Sequence, residues 1–143
     1  MATCVLENGG VALLDPQTMK WWKPSDWSAN VFSPHEPQPR RHAVILVSED
    51  EGNPGLRWYH TRGMRKFGRP DISVHAVSPE LESGVVDLLN RFIEMQAFGT
   101  VVPDGQPVRM ASLPDGATCH HRGDLDDPAF NNVRIEIAWA TTQ

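Results

Sequence analysis

The sequence has no apolar run long enough for a membrane-spanning helix, which needs about 20 residues. Its longest apolar run, residues 43–47, has the length of a single β-strand. The amino terminus shows no basic region followed by an apolar stretch, because polar residues 7–10 come early. We therefore expect a cytoplasmic protein that has no membrane partner.

Cysteine is scarce, and the best-known catalytic signatures are missing. Cys4 and Cys119 belong to no Cys-x-x-Cys pair, so we expect two reduced thiols and no thiolate zinc site. The sequence contains no Gly-x-Ser-x-Gly elbow. The segment from Gly63 to Arg69 shares only its glycine spacing with a P-loop, since the Gly-Lys-Ser/Thr ending is absent. We expect no cofactor.

Negative charge exceeds positive charge, and the formal net charge is −5. This balance argues against general nucleic-acid binding. The distribution is uneven: residues 51–75 carry five positive and two negative side chains (+3), whereas residues 76–143 carry four positive and ten negative (−6). Both segments can be solvated faces. The alternatives are a protein partner with an acidic surface, or self-association in which the two segments meet.

Strand-like segments stand on both sides of one long helical segment. The apolar run at 43–48 predicts a central strand that is covered on both faces. Alternating segments at 56–61, 72–77 and 133–139 predict further strands. The sequence therefore predicts a single α+β domain over residues 1–143, with a mixed or antiparallel sheet and one main helix on one face.

The main helix is predicted at residues 79–98. Ser78-Pro79 is typical of a helix start, and Gly99 is typical of a helix end. Between them, apolar residues recur at the spacing of one helical face, which we expect to be buried against the sheet. The residues on this face are Leu81, Val85, Leu88, Leu89, Phe92 and Ile93.

Turn residues divide the rest of the chain into shorter elements. Asn8-Gly9 predicts a hairpin. Asp15-Pro16 predicts the start of a short helix that ends before Pro24. The shorter predicted strands are 4–6, 11–14, 100–102 and 108–111.

A turn rich in basic residues follows the strand predicted at 56–61. Arg62, Arg65, Lys66 and Arg69 lie between two predicted strands, where they could converge on a carboxylate or a phosphate. The alternative is a structural turn whose glycines serve backbone geometry and whose basic side chains stay in water. The predicted binding residues are His60, Arg62, Arg65, Lys66 and Arg69.

Two functions of different classes fit this turn. The first, which we favour, is a non-enzymatic binding domain that presents the basic turn at 62–69 to an acidic protein partner. The second is a small enzyme or a small-anion sensor, in which His60 acts as acid or base and Arg62, Arg65 and Arg69 hold the anion. This second function requires His60, Arg62 and Arg69 to line one pocket together with a carboxylate.

A second polar cluster lies at residues 120–128 and contains two histidines and three carboxylates. Such side chains bind metals, but their spacing here fits no metal motif. Adjacent histidines on a strand, such as His120 and His121, point to opposite faces. We expect a polar surface loop in which His120, His121 and Asp124 hold no metal.

Tryptophan is concentrated near the amino terminus. Trp21, Trp22 and Trp27 lie close together in the sequence, just before a loop rich in proline at 33–39. They can fasten the amino-terminal segment onto the sheet. Alternatively, exposed members of the group would be anchors for a protein partner.

Part of the chain resembles small bacterial domains of unknown function. The shared pattern is a strand, an aromatic/His-Thr-x-Gly-Leu/Met turn, Pro-Asp/Glu, a second strand and a Leu-Leu-Asn helix. Here the pattern occupies residues 59–64, 70–72 and 88–90, within the segment 56–99. The resemblance implies a bacterial cytoplasmic protein with an α+β fold, and it implies no type of reaction.

Overall fold

A computed structural model describes residues 2–33, 36–128 and 130–139. A mixed six-stranded sheet with one long helix confirms the predicted α+β class, and a two-stranded hairpin lies near the amino terminus. Within the described residues, no helix is long and apolar enough to cross a membrane. The helices are α1 (Ala2–Glu7), α2 (Pro24–Trp27) and α3 (Glu82–Ala97). The strands are β1 (Leu13–Asp15), β2 (Lys20–Trp22), β3 (Val44–Glu49), β4 (Arg57–Arg62), β5 (Asp71–Val77), β6 (Pro107–Val108), β7 (Ala117–Arg122) and β8 (Arg134–Ala138).

The large sheet combines antiparallel and parallel pairs. β3, β4 and β5 form an antiparallel meander. The chain then passes through α3 before β8 pairs with β5 in parallel, as a crossover connection allows. β7 and β6 extend the sheet beyond β8 in antiparallel pairs. The strand order is therefore β3-β4-β5-β8-β7-β6.

The main helix lies where the sequence predicts it. A single 3-10 turn (Pro79–Leu81) leads into α3, and Gly99 follows its last turn with a φ of +105°. The predicted apolar face is buried, although Leu81 is only partly covered. Helix and sheet share one core, which includes Val85, Leu88, Leu89, Phe92 and Ile93 of α3 together with Tyr59, Ile72, Val74, Ile135 and Ile137 of the strands.

The buried carboxylate of Asp71 fastens the turn between β4 and β5. Its Oδ1 accepts hydrogen bonds from the Thr61 hydroxyl at 3.0 Å and from the Met64 N–H at 3.2 Å. Its Oδ2 accepts one from the Asn132 amide at 2.8 Å. Burial raises the pKa of Asp71, although these hydrogen bonds favour the charged form. One side chain thus joins the end of β4, the basic turn and the segment before β8.

Several predictions for the amino-terminal residues are wrong. Residues 4–6 lie in helix α1 rather than in a strand, and Asn8-Gly9 follows the end of this helix instead of turning a hairpin. Asp15 ends β1, and its carboxylate accepts hydrogen bonds from the Gln17 N–H and the Thr18 hydroxyl, each at 2.9 Å. It therefore closes a hairpin turn to β2 where the sequence predicts a helix cap.

β3 is the outermost strand of the sheet, not the central strand that its apolar run predicts. Leu46 and Val47 are 42% and 44% exposed. An apolar run reports the composition of a strand but does not identify what covers it. Here the core covers one face through Ile45, and among the described residues no strand pairs with the outer edge.

Strand β7 occupies part of the region predicted as a polar surface loop. Ala117 and Cys119 face the core, while polar residues alternate with them. Two small core residues give little hydropathy signal, so the sequence does not reveal this strand. Residues 100–102 form no strand, and only the start of 108–111 pairs, through β6. Cys4 and Cys119 are both free, as predicted.

The position of Leu88 allows a test of the core. Leu88→Ala should lower the free energy of unfolding by about 2–5 kcal/mol, because the side chain is 3% exposed and its removal leaves a cavity. Met95→Ala is the matched control on the same helix, since Met95 is 41% exposed. Denaturant unfolding gives both values. A loss below about 0.5 kcal/mol for Leu88→Ala would contradict this assignment of the core.

Candidate functional site on the open face of the sheet

α3 covers one face of the six-stranded sheet, and the opposite face, here called the open face, carries polar and aromatic side chains. Tyr59 and Val74 point toward α3 into the core, so their neighbours on β4 and β5 point away from it. Four residues of the open face stand side by side in one row across four strands: His60, Ser73, Glu136 and His120. Other side chains on this face are those of Leu46, Trp58, Arg62, His75, Arg122 and Arg134.

Trp58 forms the centre of an aromatic stack on the open face. The His60 ring lies at 4.1 Å from the Trp58 ring, and the His75 ring is nearly parallel to it at 5.1 Å. The Trp58 Nε1–H donates a hydrogen bond to the Ser73 hydroxyl at 2.8 Å. Phe130 approaches Trp58 and His60 with its ring tilted. Since both rings of the stack lie against it, Trp58 is a scaffold for the two histidines.

His60 is closed off from solvent. It is 8% exposed, and its buried Nδ1 has no hydrogen-bond partner among the described residues. Burial lowers the pKa of His60 to about 4, and the charges of Arg62 and His75 act in the same direction. His60 is therefore a neutral side chain near pH 7, which suits a packed ring better than an acid–base catalyst.

His75 has the carboxylate partner that His60 lacks. Its Nδ1 lies 3.3 Å from Oδ2 of Asp50, and its side chain is 43% exposed. Asp50 also accepts hydrogen bonds from the backbone N–H groups of Ala76 at 2.7 Å and Gly52 at 3.1 Å. Burial of Asp50 raises its pKa, but these bonds and His75 outweigh that effect and hold the pKa below its usual value. The pair is a charged carboxylate that orients an accessible imidazole.

The backbone beside His75 is strained. Ala76 has a φ of +55°, a left-handed conformation that costs energy for a residue with a Cβ. The pairing of β4 and β5 shifts register at this point, and the Ala76 N–H turns toward Asp50. The strain is thus the consequence of directing the backbone at the carboxylate that holds His75.

Two clefts flank the His75 side chain. One has a volume of about 310 Å³ and is lined also by Asn53, Glu136 and Trp139. The other has a volume of about 470 Å³ and is lined also by Ser48, Glu49, Asp50 and Trp58. Buried Nε1 of Trp139 has no hydrogen-bond partner among the described residues. A ligand beside His75 would meet carboxylates on both sides.

Arginines occupy the end of the open face away from His75. Arg62 and Arg134 lie over the Phe130 ring, at 5.7 Å and 4.9 Å from its centre. Arg134 also forms an ion pair with Asp127. On the neighbouring strand, Arg122 stands directly opposite Arg134 in the register. Arg62, Arg134 and Arg122 are called the arginine row below.

The remaining residues of the predicted basic turn make contacts inside the protein. Arg65 donates hydrogen bonds to the backbone carbonyls of Leu125 at 3.1 Å and Asn131 at 2.6 Å. Lys66 forms an ion pair with Asp15 of the amino-terminal hairpin. A Cβ on Gly63, whose φ is +111°, would lie 2.4 Å from the His42 carbonyl oxygen, so glycine is required there.

The pocket predicted from His60, Arg62 and Arg69 is not assembled. The Arg69 guanidinium donates hydrogen bonds to the carbonyl oxygens of Gln96 at 3.1 Å and Gly99 at 2.9 Å. These contacts hold Arg69 at the end of α3, whereas His60 and Arg62 lie on the open face. The structure therefore brings His60 and Arg62 together and separates Arg69 from them.

His120 and His121 point to opposite faces of β7, as the alternation of a strand requires. His120 Nε2 is 2.9 Å from the Thr118 hydroxyl, and His121 Nε2 is 2.8 Å from the Val102 carbonyl. Asp124 accepts a hydrogen bond from the Asp126 N–H. Within the part of the chain that the structure describes, no three His, Cys, Asp or Glu side chains cluster in a way that could hold a metal.

The three amino-terminal tryptophans differ in exposure. Trp22 is buried and meets the Trp27 ring edge-on at 6.3 Å, so this pair packs within the amino-terminal segment. Trp21, its neighbour on β2, is exposed.

Sequence reasoning missed the Asp50–His75 pair and the role of Phe130. Asp50 lies among turn residues and gives no local signal that it holds a histidine 25 positions later. His75 is visible only as an isolated polar residue on a predicted strand. The alternation of β5 could have placed His75 beside Trp58, but only once the β4–β5 pairing was known.

A search of protein-family models, curated proteins and solved structures finds no match to this chain.

The burial of His60 predicts a pH dependence of stability. The folded-state pKa of about 4 lies below the ordinary 6.5, so between these values the unfolded chain binds a proton that the folded chain rejects. The stability from neutral His60 is complete above pH 6.5 and is lost as the pH falls toward 4. From pH 7 to pH 5, wild type should therefore lose more free energy of unfolding than His60→Phe does.

Denaturant unfolding at the two pH values measures this difference. His120→Gln, which removes an imidazole from the same face, is the control for the loss of a histidine as such. An equal loss of stability in wild type and His60→Phe would contradict this, because it would mean that His60 binds a proton as readily in the folded chain as in the unfolded chain.

Proposed function

We propose that this protein is a non-enzymatic binding domain of the bacterial cytoplasm, and that its partner is a protein with an acidic surface. The proposed contact surface is the arginine row of the open face. One observation carries the proposal: Arg134 and Arg122 stand directly opposite each other on β8 and β7.

Like charges opposite one another on neighbouring strands destabilise a sheet. Asp127 offsets part of this repulsion through its ion pair with Arg134. Arg122 is exposed, and its guanidinium donates a hydrogen bond to the His121 carbonyl oxygen. It forms no ion pair within 4 Å with a described carboxylate, although Asp104 attracts it from a greater distance. A carboxylate of a partner would remove the remaining repulsion and would form charge-assisted hydrogen bonds. An acidic surface is therefore the partner chemistry that this row favours.

The basic turn has a different role here from the one that the sequence predicts. Of the predicted turn residues at 62–69, Arg62 reaches the open face. Arg65 instead holds the loop that carries Phe130, through the carbonyls of Leu125 and Asn131. In the proposed function the turn positions the arginine row and contributes Arg62 to the contact.

The exposed member of the row allows a direct test. Arg122→Gln should weaken the binding of a polyglutamate peptide about three- to tenfold, because one interfacial charge pair is lost. The dependence of the affinity on salt should also become less steep. Isothermal titration calorimetry at two salt concentrations gives both quantities.

Arg109→Gln is the matched control, because Arg109 is also exposed and this substitution removes one positive charge outside the arginine row. If the two variants weaken binding equally, only net charge matters and the arginine row is not the site. If wild type binds no polyglutamate at low salt, the proposed partner chemistry is wrong.

The Asp50–His75 pair favours a second candidate, a small enzyme in which His75 is the general base. The contact between Nδ1 and Asp50 leaves Nε2 as the nitrogen that could accept a proton from a ligand. This candidate replaces the predicted His60 centre, because His60 is covered and His75 lines two clefts.

Hydrolysis of p-nitrophenyl acetate provides a simple probe for this candidate. If His75 is a base in an active cleft, the wild-type rate should exceed that of free imidazole, and His75→Gln should lose at least about tenfold. His120→Gln controls for removal of an accessible imidazole. Equal rates for wild type and His75→Gln would eliminate His75 as a catalyst of ester hydrolysis.

A further inference from the structure

The two edges of the six-stranded sheet differ in the protection that they have against strand pairing. β6 forms one edge, contains two residues and begins with Pro107, so it offers little backbone for pairing. β3 forms the other edge, contains six residues and includes neither proline nor lysine. Its Leu46 and Val47 are exposed large apolar residues. An edge of this kind is a template for an added strand.

The backbone groups that β3 directs outward follow from its pairing with β4. The register is constant along the whole strand, and just beyond it the Asp50 N–H donates to the Leu56 carbonyl oxygen at 3.0 Å. Hydrogen-bonding direction alternates along an antiparallel strand. The N–H and C=O groups of Ile45, Val47 and Glu49 therefore point away from β4.

Opposite charges flank the apolar centre of β3. Arg41 precedes the strand, Glu49 ends it and Glu51 follows it, and all three are exposed. None of the three forms a salt bridge with another described residue. A strand that is basic at its start and acidic at its end is complementary to a second copy that runs antiparallel to it.

We propose that two copies of this chain pair antiparallel through β3 and join their six-stranded sheets into one. A two-fold axis perpendicular to the sheet places residues of the same face opposite each other, which leaves three registers near the strand centre, in which Ile45, Leu46 or Val47 faces its own copy. All three use the outward backbone groups of β3. Arg41 lies in the 3-10 turn Pro39–Arg41 before β3, and Glu51 lies in the turn after it, so in each register the basic start of one copy comes near the acidic end of the other.

A segment of a different protein could also add to this edge. A second copy accounts for more of what is observed, because its own Arg41 and carboxylates supply the charges that both ends of β3 require. The same pairing places the Leu46 and Val47 side chains beside apolar side chains of the other β3.

Sedimentation velocity over a range of protein concentrations tests the pairing. Wild type should form a dimer that weakens as salt is added. Arg41→Glu should weaken the dimer at least about tenfold, because two symmetry-related ion pairs become repulsive. Adding Glu49→Arg and Glu51→Arg to this variant should restore the dimer, because the charges of the two ends are then exchanged. Arg109→Glu is the matched control and should dimerise like wild type.

Cross-linking tests the strand contact without relying on charge. Where Leu46 faces its own copy, the two Leu46 Cα atoms form a non-hydrogen-bonded pair about 4.5 Å apart, within disulfide range. In that register Leu46→Cys in a Cys4→Ser background should form a covalent dimer under mild oxidation, and in the other two registers Ile45→Cys or Val47→Cys should do so. Leu125→Cys, at an exposed position outside β3, is the control.

Several outcomes would overturn the proposal. Wild type could remain a monomer at every concentration, which would leave the edge for a different partner. A dimer could persist unchanged in Arg41→Glu, or the triple variant that also carries Glu49→Arg and Glu51→Arg could fail to restore the dimer. Because Arg41, Glu49 and Glu51 are exposed, thermal melts of these variants should match wild type, which separates loss of pairing from loss of folding.

Discussion

The buried carboxylate of Asp71 is the contact on which the arrangement of the open face depends. A carboxylate that is buried away from solvent is stable only if its oxygens accept hydrogen bonds. Here the Thr61 hydroxyl, the Met64 N–H and the Asn132 amide donate them. These donors come from β4, from the basic turn and from the segment that leads into β8. Satisfying one carboxylate therefore fixes the positions of three segments that are far apart in the sequence.

The position of the segment before β8 decides where Phe130 and the arginine row lie. Asn132 bonds to Asp71 and to the Arg69 carbonyl, and Arg65 bonds to the Asn131 carbonyl. The loop is thus held against the open face from two sides. Phe130 then covers His60 and supports Arg62 and Arg134. The basic turn therefore helps to hold this loop, through the Arg65 side chain and the Arg69 carbonyl oxygen.

Sequence patterns predicted the elements whose signals are local. The face of α3 and the alternation of β8 are properties of short segments, and the structure confirms both. The place of β3 at the edge depends on which strand lies beside it, and hydropathy holds no information about that. The candidate site could not be predicted for the same reason. Asp50 lies beside His75, and Arg122 lies opposite Arg134, only after the strands have paired. The residue types were visible in the sequence, but their neighbours were not.

The edge of β3 and the arginine row have a geometric relation that links the two proposals. A two-fold axis perpendicular to the sheet keeps the open faces of both copies on the same side. A dimer through β3 would then present two arginine rows on one continuous surface, with the apolar edge buried between them. Two linked sites bind a multivalent acidic surface more tightly than either alone, provided that their spacing matches the partner. Self-pairing through β3 would therefore strengthen the weak electrostatic contact that a single exposed arginine row can make.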